Sequence, residues 1–353
     1  MNLPRSSSSA AKDFALVVPV PEILEDSDIR VGRAGIFDKF DAYTAPRLVE
    51  YWDQHPCQQM VKYRARTLAE GNVAIVTDSA MPEEEMDEDL GVTIEATYTI
   101  GEYDILILSA EESDGLKTWL KQNGYQIPPN AEEVLDPYIR NEMKFFVVKV
   151  NLEAQTSSGF SQLRPLQIQF NSDRFMLPIR LGMANAKSYQ DLIVYAFTRE
   201  GRVETANYRT TKLPTDREIP VFIKEKNMFG DFYKSTYERA WKKENRNSVM
   251  LEYAWDVSGS TPVKCDPCNT PPVTFSELSE AGVWWLSGES GGGYQGQLLV
   301  TRLHVRYNRK HFPQDLAFIN TPNRENFQGR YVVRHTATGS MDCPEGKKYQ
   351  REL

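Results

Sequence analysis

Two alternating apolar runs joined by a two-residue connection constrain the fold of this chain more than any other feature. Residues 92–100 read VTIEATYTI and residues 103–110 read YDILILSA, with Gly101 and Glu102 between them. Alternation with a period of two is typical of strands, and a connection this short pairs neighbouring strands antiparallel. The sequence therefore predicts a β-hairpin at this point.

Other strand-like runs follow one another through short turns rather than through crossover helices. This arrangement predicts an α+β fold class, with mostly antiparallel sheets and a few packed helices. The first strand is expected within residues 14–21, where FALVVPVP follows a polar tract. The next strands are expected at residues 144–150, 166–170, 175–181, 192–197 and 202–208.

Helical spacing of apolar residues predicts the few helices. One is expected around residues 116–120 and a second over residues 130–139, each preceded by polar residues suited to a helix start. A third, over residues 229–243, carries six apolar and aromatic residues on one face. That face indicates core packing, although a base-stacking or partner-binding face is an alternative. A short helix is expected near residues 276–281.

Composition and charge exclude several classes of protein. The 353 residues include 41 Lys and Arg against 49 Asp and Glu, for a net charge of -8, which would repel nucleic acid. No apolar run approaches the roughly 20 residues of a membrane helix. We therefore expect no nucleic-acid partner and no transmembrane segment. We also expect a flexible polar leader at residues 1–12 and an α+β region at 13–353, with two subdomains dividing near 150–165.

Overlapping glycine patterns occur between residues 288 and 296. Residues 288–292 fit the G-x-S-x-G spacing of a hydrolase nucleophile elbow, and residues 291–296 fit the G-x-G-x-x-G spacing of a dinucleotide site. Both sites need a helix to open after the glycines, but another strand-like run follows. We therefore expect a flexible connection, with Ser290 not catalytic and no cofactor bound. Three histidines lie downstream, and no spacing pairs any of them with the serine: His304, His311 and His335.

The four cysteines each lie next to a proline or one residue away from one. They are Cys57, Cys265, Cys268 and Cys343. A structural zinc site, a redox pair at Cys265 and Cys268, and two disulfides are all compatible with this pattern. The zinc site usually needs two close pairs, and a redox motif normally opens a helix, whereas NTPPV follows Cys268.

Many ordered phrases of the chain together resemble a bacterial family, the domain-of-unknown-function family 2330. The resemblance implies an exported protein with a signal peptide and an upstream segment, neither of which we expect in residues 1–353, and hence a periplasmic or extracellular location. It implies no catalytic residue, but it favours disulfides. The phrases are DFALVVPVP, FDAYTAPRLVEY, GEYDILILSA, LKTWLKQNGYQIP, MKFFVVKV, CDPC, LLVTRLHVRY and NRENFQGRYVVRH.

These observations lead to one functional expectation and one alternative. We expect a non-enzymatic extracytoplasmic protein that binds an unknown protein or envelope partner, with no metal and with cysteine pairs Cys57–Cys343 and Cys265–Cys268. The alternative is an enzyme, either a hydrolase using Ser290 or a thiol-disulfide protein using Cys265 and Cys268.

Overall fold

Twenty strands and eight α-helices make up the described part of the chain, and several of the strands follow one another directly. The computed structural model describes residues 15–57, 86–87, 90–125, 131–151, 163–184, 188–261, 265, 267–268, 270–288 and 291–352. Over these residues the fold is α+β with mostly antiparallel sheets, as the sequence predicts. The expected leader, residues 1–12, lies outside them.

The bounds of the elements follow the chain. The strands are β1 (Ala15–Val20), β2 (Ile29–Val31), β3 (Arg47–Trp52), β4 (Met86–Asp87), β5 (Val92–Ile100), β6 (Tyr103–Ala110), β7 (Lys144–Val150), β8 (Leu166–Ile168), β9 (Met176–Leu177), β10 (Gln190–Thr198), β11 (Val203–Thr205), β12 (Arg209–Lys212), β13 (Arg217–Glu218), β14 (Ser248–Asp256), β15 (Ser287–Gly288), β16 (Tyr294–Gln295), β17 (Leu299–Tyr307), β18 (Leu316–Asn320), β19 (Phe327–Gln328) and β20 (Arg330–His335). The helices are α1 (Gly35–Thr44), α2 (Ser113–Gln122), α3 (Ala131–Ile139), α4 (Arg180–Ala184), α5 (Phe222–Glu225), α6 (Phe229–Lys243), α7 (Phe275–Glu280) and α8 (Pro344–Glu352).

The predicted hairpin, β5 and β6, lies in a five-stranded antiparallel sheet. Its strand order is β1-β7-β6-β5-β4. Gly101 makes the hairpin turn possible, because its φ of 61° lies in the left-handed region that side chains disfavour. The sheet is apolar on both faces: Leu108 and Phe145 pack against helices α2 and α3, while Ile105 and Phe146 pack on the opposite face.

A second sheet forms the other large layer and carries the features described below. Its order is β10-β17-β14-β12, and β19 pairs with β14 beside that path. Val249, Leu303 and Val305 belong to the hydrophobic core on one face. Residues directly opposite in the β10–β17 register share a face, so Tyr195 lies beside Arg302 and Ile193 beside His304. This second face therefore carries charged side chains.

Two strand predictions are wrong in detail. The run at residues 175–181 forms only the short β9, because Pro178 lacks a backbone N–H and the Asp315 carboxylate accepts hydrogen bonds from Ile179 and Arg180 at the start of α4. The run at residues 202–208 forms β11 and then turns. Parallel pairs also occur, between β12 and β14 and between β20 and both β13 and β3. Helices α5 and α6 lie between β12 and β14, and such a crossover permits parallel pairing.

Elements from both ends of the chain meet in the minor sheets. Strand β3 pairs with β20, whereas β2 pairs with β8 from the middle of the chain. The division into two subdomains near residues 150–165 stays a prediction. Among the described residues, no helix has the length and apolar character needed to cross a membrane.

Candidate functional site

An apolar cleft of about 410 Å³ lies along the outer edge of strand β10. Its size falls within the roughly 300–1,000 Å³ of typical ligand sites, which are mostly apolar with a few polar groups. Its polar lining includes Gln167 and Glu280. We call this space the β10 cleft; its apolar lining includes Ile36, Phe37, Leu177, Ile179, Ile193 and Val194.

Helix α1 forms one wall of the β10 cleft. The ring of Phe40 lies 5.7 Å from the ring of Tyr195 and 5.0 Å from that of Phe197, both on β10. Ile36 and Phe37 continue this wall along the helix. Ion pairs from the same segment reach α7, between Arg33 and Glu280 at 2.6 Å and between Lys39 and Glu277 at 3.5 Å. The wall is thus attached to two neighbouring elements.

The segment from β9 to α4 forms the opposite wall. Leu177 and Ile179 pack into the core on the face of the second sheet opposite α1. Two hydrogen bonds fix this segment: the Ile179 N–H donates to Asp315 at 2.8 Å, and the Gln190 side-chain amide donates to the Gly182 carbonyl at 3.0 Å. Both walls are therefore held in place without a ligand, which lowers the entropic cost of binding.

Six ionised side chains cover the charged face of the second sheet beside the first wall. Arg302 connects the sheet to α1, because its Nη1 donates to Asp41 at 2.7 Å and its Nε donates to Glu252 at 2.6 Å. The Tyr195 hydroxyl accepts from the same guanidinium at 3.0 Å. We call this set the ionic cluster: Asp41, Asp191, Glu252, Arg302, His304 and Arg306.

His304 lies between two carboxylates of the ionic cluster. Its Nδ1 is 2.7 Å from Glu252 Oε1, and its Nε2 is 3.0 Å from Asp191 Oδ1. A neutral imidazole would turn a lone pair toward one carboxylate, whereas an imidazolium donates to both. Tyr233 of α6 also donates its hydroxyl to Glu252, and Arg306 forms a two-bond ion pair with Asp191 at 2.8 and 3.0 Å.

The pKa directions agree with this geometry. Burial alone would lower the pKa of His304, but hydrogen bonds and charges from Asp191 and Glu252 outweigh burial and raise it. Burial would raise the pKa of Glu252, but the hydrogen bond from His304 and the charges of His304 and Arg302 hold it below its usual value. Three carboxylates thus neutralise three cations, and the fully buried Glu252 has the cationic partners that a buried charge requires.

The ionic cluster is arranged for structure rather than for proton transfer. A general base needs a free nitrogen directed at a reacting group. Both nitrogens of His304 are occupied by carboxylates, and Glu252 is fully buried beneath Tyr233. The cluster fixes α1, and thereby one wall of the β10 cleft, to the sheet.

Comparison with known families gives one match. Residues 2–319 match the family described as an uncharacterized protein conserved in bacteria, DUF2330. The chain belongs to this family. No curated protein and no solved structure matches it.

The structure brings the four cysteines together in two pairs at disulfide distance. Cys57 and Cys343 have a Cα–Cα distance of 5.7 Å, and Cys265 and Cys268 one of 5.1 Å. A four-thiolate zinc site would need all four sulfurs at one point, and no metal-holding group of three His, Cys, Asp or Glu occurs in the described ranges. The next described helix after Cys268 is α7, so no described helix begins at this pair as a redox motif would require.

The hydrolase candidates are dispersed. Ser290 lies outside the described residues; in the sequence it falls between β15 and β16, which pair with each other. His304 belongs to the ionic cluster. His311 Nδ1 lies 2.9 Å from Asn308, and His335 stacks on Trp52 with ring centroids 4.8 Å apart. The three histidines thus lie in three separate environments.

Neither the β10 cleft nor the ionic cluster is predicted from the sequence. A usable signal for the cluster was present: Glu252 interrupts the apolar run of β14, and basic residues recur at alternate positions of β17. Charges on one face of two buried strands indicate pairing across the sheet. The cleft has no such signal, because it depends on where α1 and α4 pack.

Proposed function

We propose that this protein is an extracytoplasmic binding protein whose ligand occupies the β10 cleft. The observation that carries the proposal is the cleft itself, an apolar space of about 410 Å³ between two walls that are each fixed by hydrogen bonds. A preformed apolar site with few polar groups favours ligand binding. The hydrogen bonds that occupy both ring nitrogens of His304 support a binding role over an enzymatic one.

The cysteine pairs support an oxidising compartment. Two pairs at disulfide distance account for all four cysteines. Disulfides persist mainly in secreted and periplasmic proteins and are rare in the reducing cytosol. We therefore propose a location in the periplasm or outside the cell.

Fluorescence titration with Nile red, a neutral apolar dye, tests the binding proposal. We expect saturable one-to-one binding to the wild-type protein. In Ile193→Glu the affinity should fall at least tenfold, or about 1.4 kcal/mol, because a carboxylate replaces an apolar side chain of the cleft. Ile193 belongs to neither buried core cluster beside it, so the variant should stay folded.

Ile319→Glu is the matched control. Ile319 is also a strand isoleucine, and it is 47% exposed outside the cleft. Its substitution should leave dye affinity unchanged. Equal affinity of the dye for all three proteins, or no saturable binding to the wild type, would contradict the proposal.

A further inference from the structure

We propose that the ligand of the β10 cleft is an extended peptide segment of another protein, which adds as a strand to the free edge of β10. This inference deepens the proposed function and rests on it. The ligand class is a peptide of about four to six residues with apolar side chains at alternate positions. It would pair its main chain with β10 and place those side chains against the two walls.

Strand β10 is an unprotected apolar edge. It is nine residues long, and Leu192, Ile193, Val194 and Tyr195 are all partly buried, so these four residues place apolar side chains on both faces of the strand. Long apolar edges are aggregation hazards that proteins usually shorten, charge or interrupt with proline. The other end of the same sheet is protected in this way, since β12 has only four residues and reads RTTK. The outer edge of β10 has no such protection and faces the cleft instead.

The main chain of β10 offers unused hydrogen-bonding groups. Along an antiparallel strand, alternate residues direct both N–H and C=O away from the paired neighbour. Among the described residues β10 pairs with β17 alone, and no described group bonds its outward main-chain atoms. An apolar small molecule would fill the cleft but leave these groups unpaired, at a cost in free energy. A peptide strand satisfies them.

The shape of the cleft favours a single strand over a second copy of this chain. Residues 192–195 line the cleft with side chains from both faces of β10, α1 and the β9–α4 segment line its two sides, and residues 165–167 at β8 border it as well. These four residues extend over roughly 13 Å at about 3.3 Å per residue. A folded edge strand would bring its own sheet against both walls, whereas an isolated peptide segment fits between them.

Display selection with random ten-residue peptides tests the inference. Peptides are selected on the wild-type protein after depletion on Ile193→Glu, and enriched sequences are synthesised without modification and with N-methyl groups at either set of alternate backbone nitrogens. We expect enriched peptides with alternating apolar residues that displace Nile red. N-methylation of one alternate set should weaken binding at least tenfold, while methylation of the other should change it less than threefold.

Other results of the same experiments would overturn the peptide inference. Absence of enriched peptides that displace the dye, or equal binding of both methylated sets, overturns the peptide inference while Nile red binding still supports the proposed function. A wild-type dimer that Ile193→Glu dissociates would assign the edge to a second copy instead. The methylated peptides are compared on wild-type protein, so this readout is independent of the folding of the variant.

Discussion

The substitution Glu252→Gln tests whether the ionic cluster holds the second sheet and α1 together. The Glu252 carboxylate accepts hydrogen bonds from His304 at 2.7 Å and Arg302 at 2.6 Å, and also from the Tyr233 hydroxyl. Glutamine has nearly the same shape but only one accepting oxygen. Its NH₂ group must therefore face one of the two cationic donors.

The expected loss follows from burial and charge. Glu252 is fully buried, and the side chain of Arg302 is only 6% exposed, so solvent screens their interaction weakly. Removing one partner of a buried ion pair typically costs about 3–5 kcal/mol, and one hydrogen bond to a charged group contributes about 1.5–3 kcal/mol. Because glutamine keeps one acceptor, we expect a loss near the lower end, about 3 kcal/mol of unfolding free energy.

Urea unfolding at several pH values measures this loss and adds a second readout. Because the pKa of His304 is raised in the folded protein, the protonated imidazole stabilises the fold fully below about pH 6.5, the ordinary pKa of histidine. This stabilisation is lost as the pH rises through the raised pKa of the folded state. In Glu252→Gln this pH dependence should shrink, because the amide can donate to a neutral imidazole. The control Glu238→Gln, at an exposed pair with Lys242, should leave stability unchanged. A loss below about 1 kcal/mol with unchanged pH dependence would refute the reasoning.

Three further predictions concern separate features. After alkylation without reductant, mass spectrometry should find none of the four cysteines alkylated. Four alkylated thiols would contradict the disulfides. A fluorophosphonate probe should not label Ser290, since strand β16 rather than a helix follows it; stoichiometric labelling lost in Ser290→Ala would contradict this. Gly201→Ala should lower the unfolding free energy by about 1–3 kcal/mol, because the added Cβ would lie 1.8 Å from the Thr321 carbonyl oxygen. Gly230→Ala should not lower the unfolding free energy, because the added Cβ would meet open space. Equal stabilities of the two variants would contradict this packing.

Local pattern predicts much of the fold. The hairpin at β5 and β6 and the whole of α6 follow from the spacing of apolar residues, because each buries one face or both faces regularly. The structure of residues 175–181 does not follow from the spacing of apolar residues. The Asp315 carboxylate that accepts hydrogen bonds at the start of α4 is more than a hundred residues away in the sequence. Parallel pairing of β3 with β20 is equally non-local.

The candidate site is less accessible to sequence reasoning. Tyr233 and Tyr237 belong to an aromatic stripe that correctly predicts packing, but they also cover Glu252 and His304, which a stripe alone does not reveal. Phe37 is spaced three residues before Phe40, as expected for a helix face, but it has no special chemistry that marks a site in the sequence. Its importance comes only from the position of α1 beside β10.

Methyl-resolved NMR during titration with Nile red tests most directly whether the β10 cleft is the ligand site. We expect saturable shift changes for the methyl groups of Ile36, Leu192 and Val194, which line the cleft. Leu116 and Leu120, buried in the core between α2 and the first sheet, should not change. Changes centred outside the cleft, or no saturable change at these three residues, would contradict the central claim.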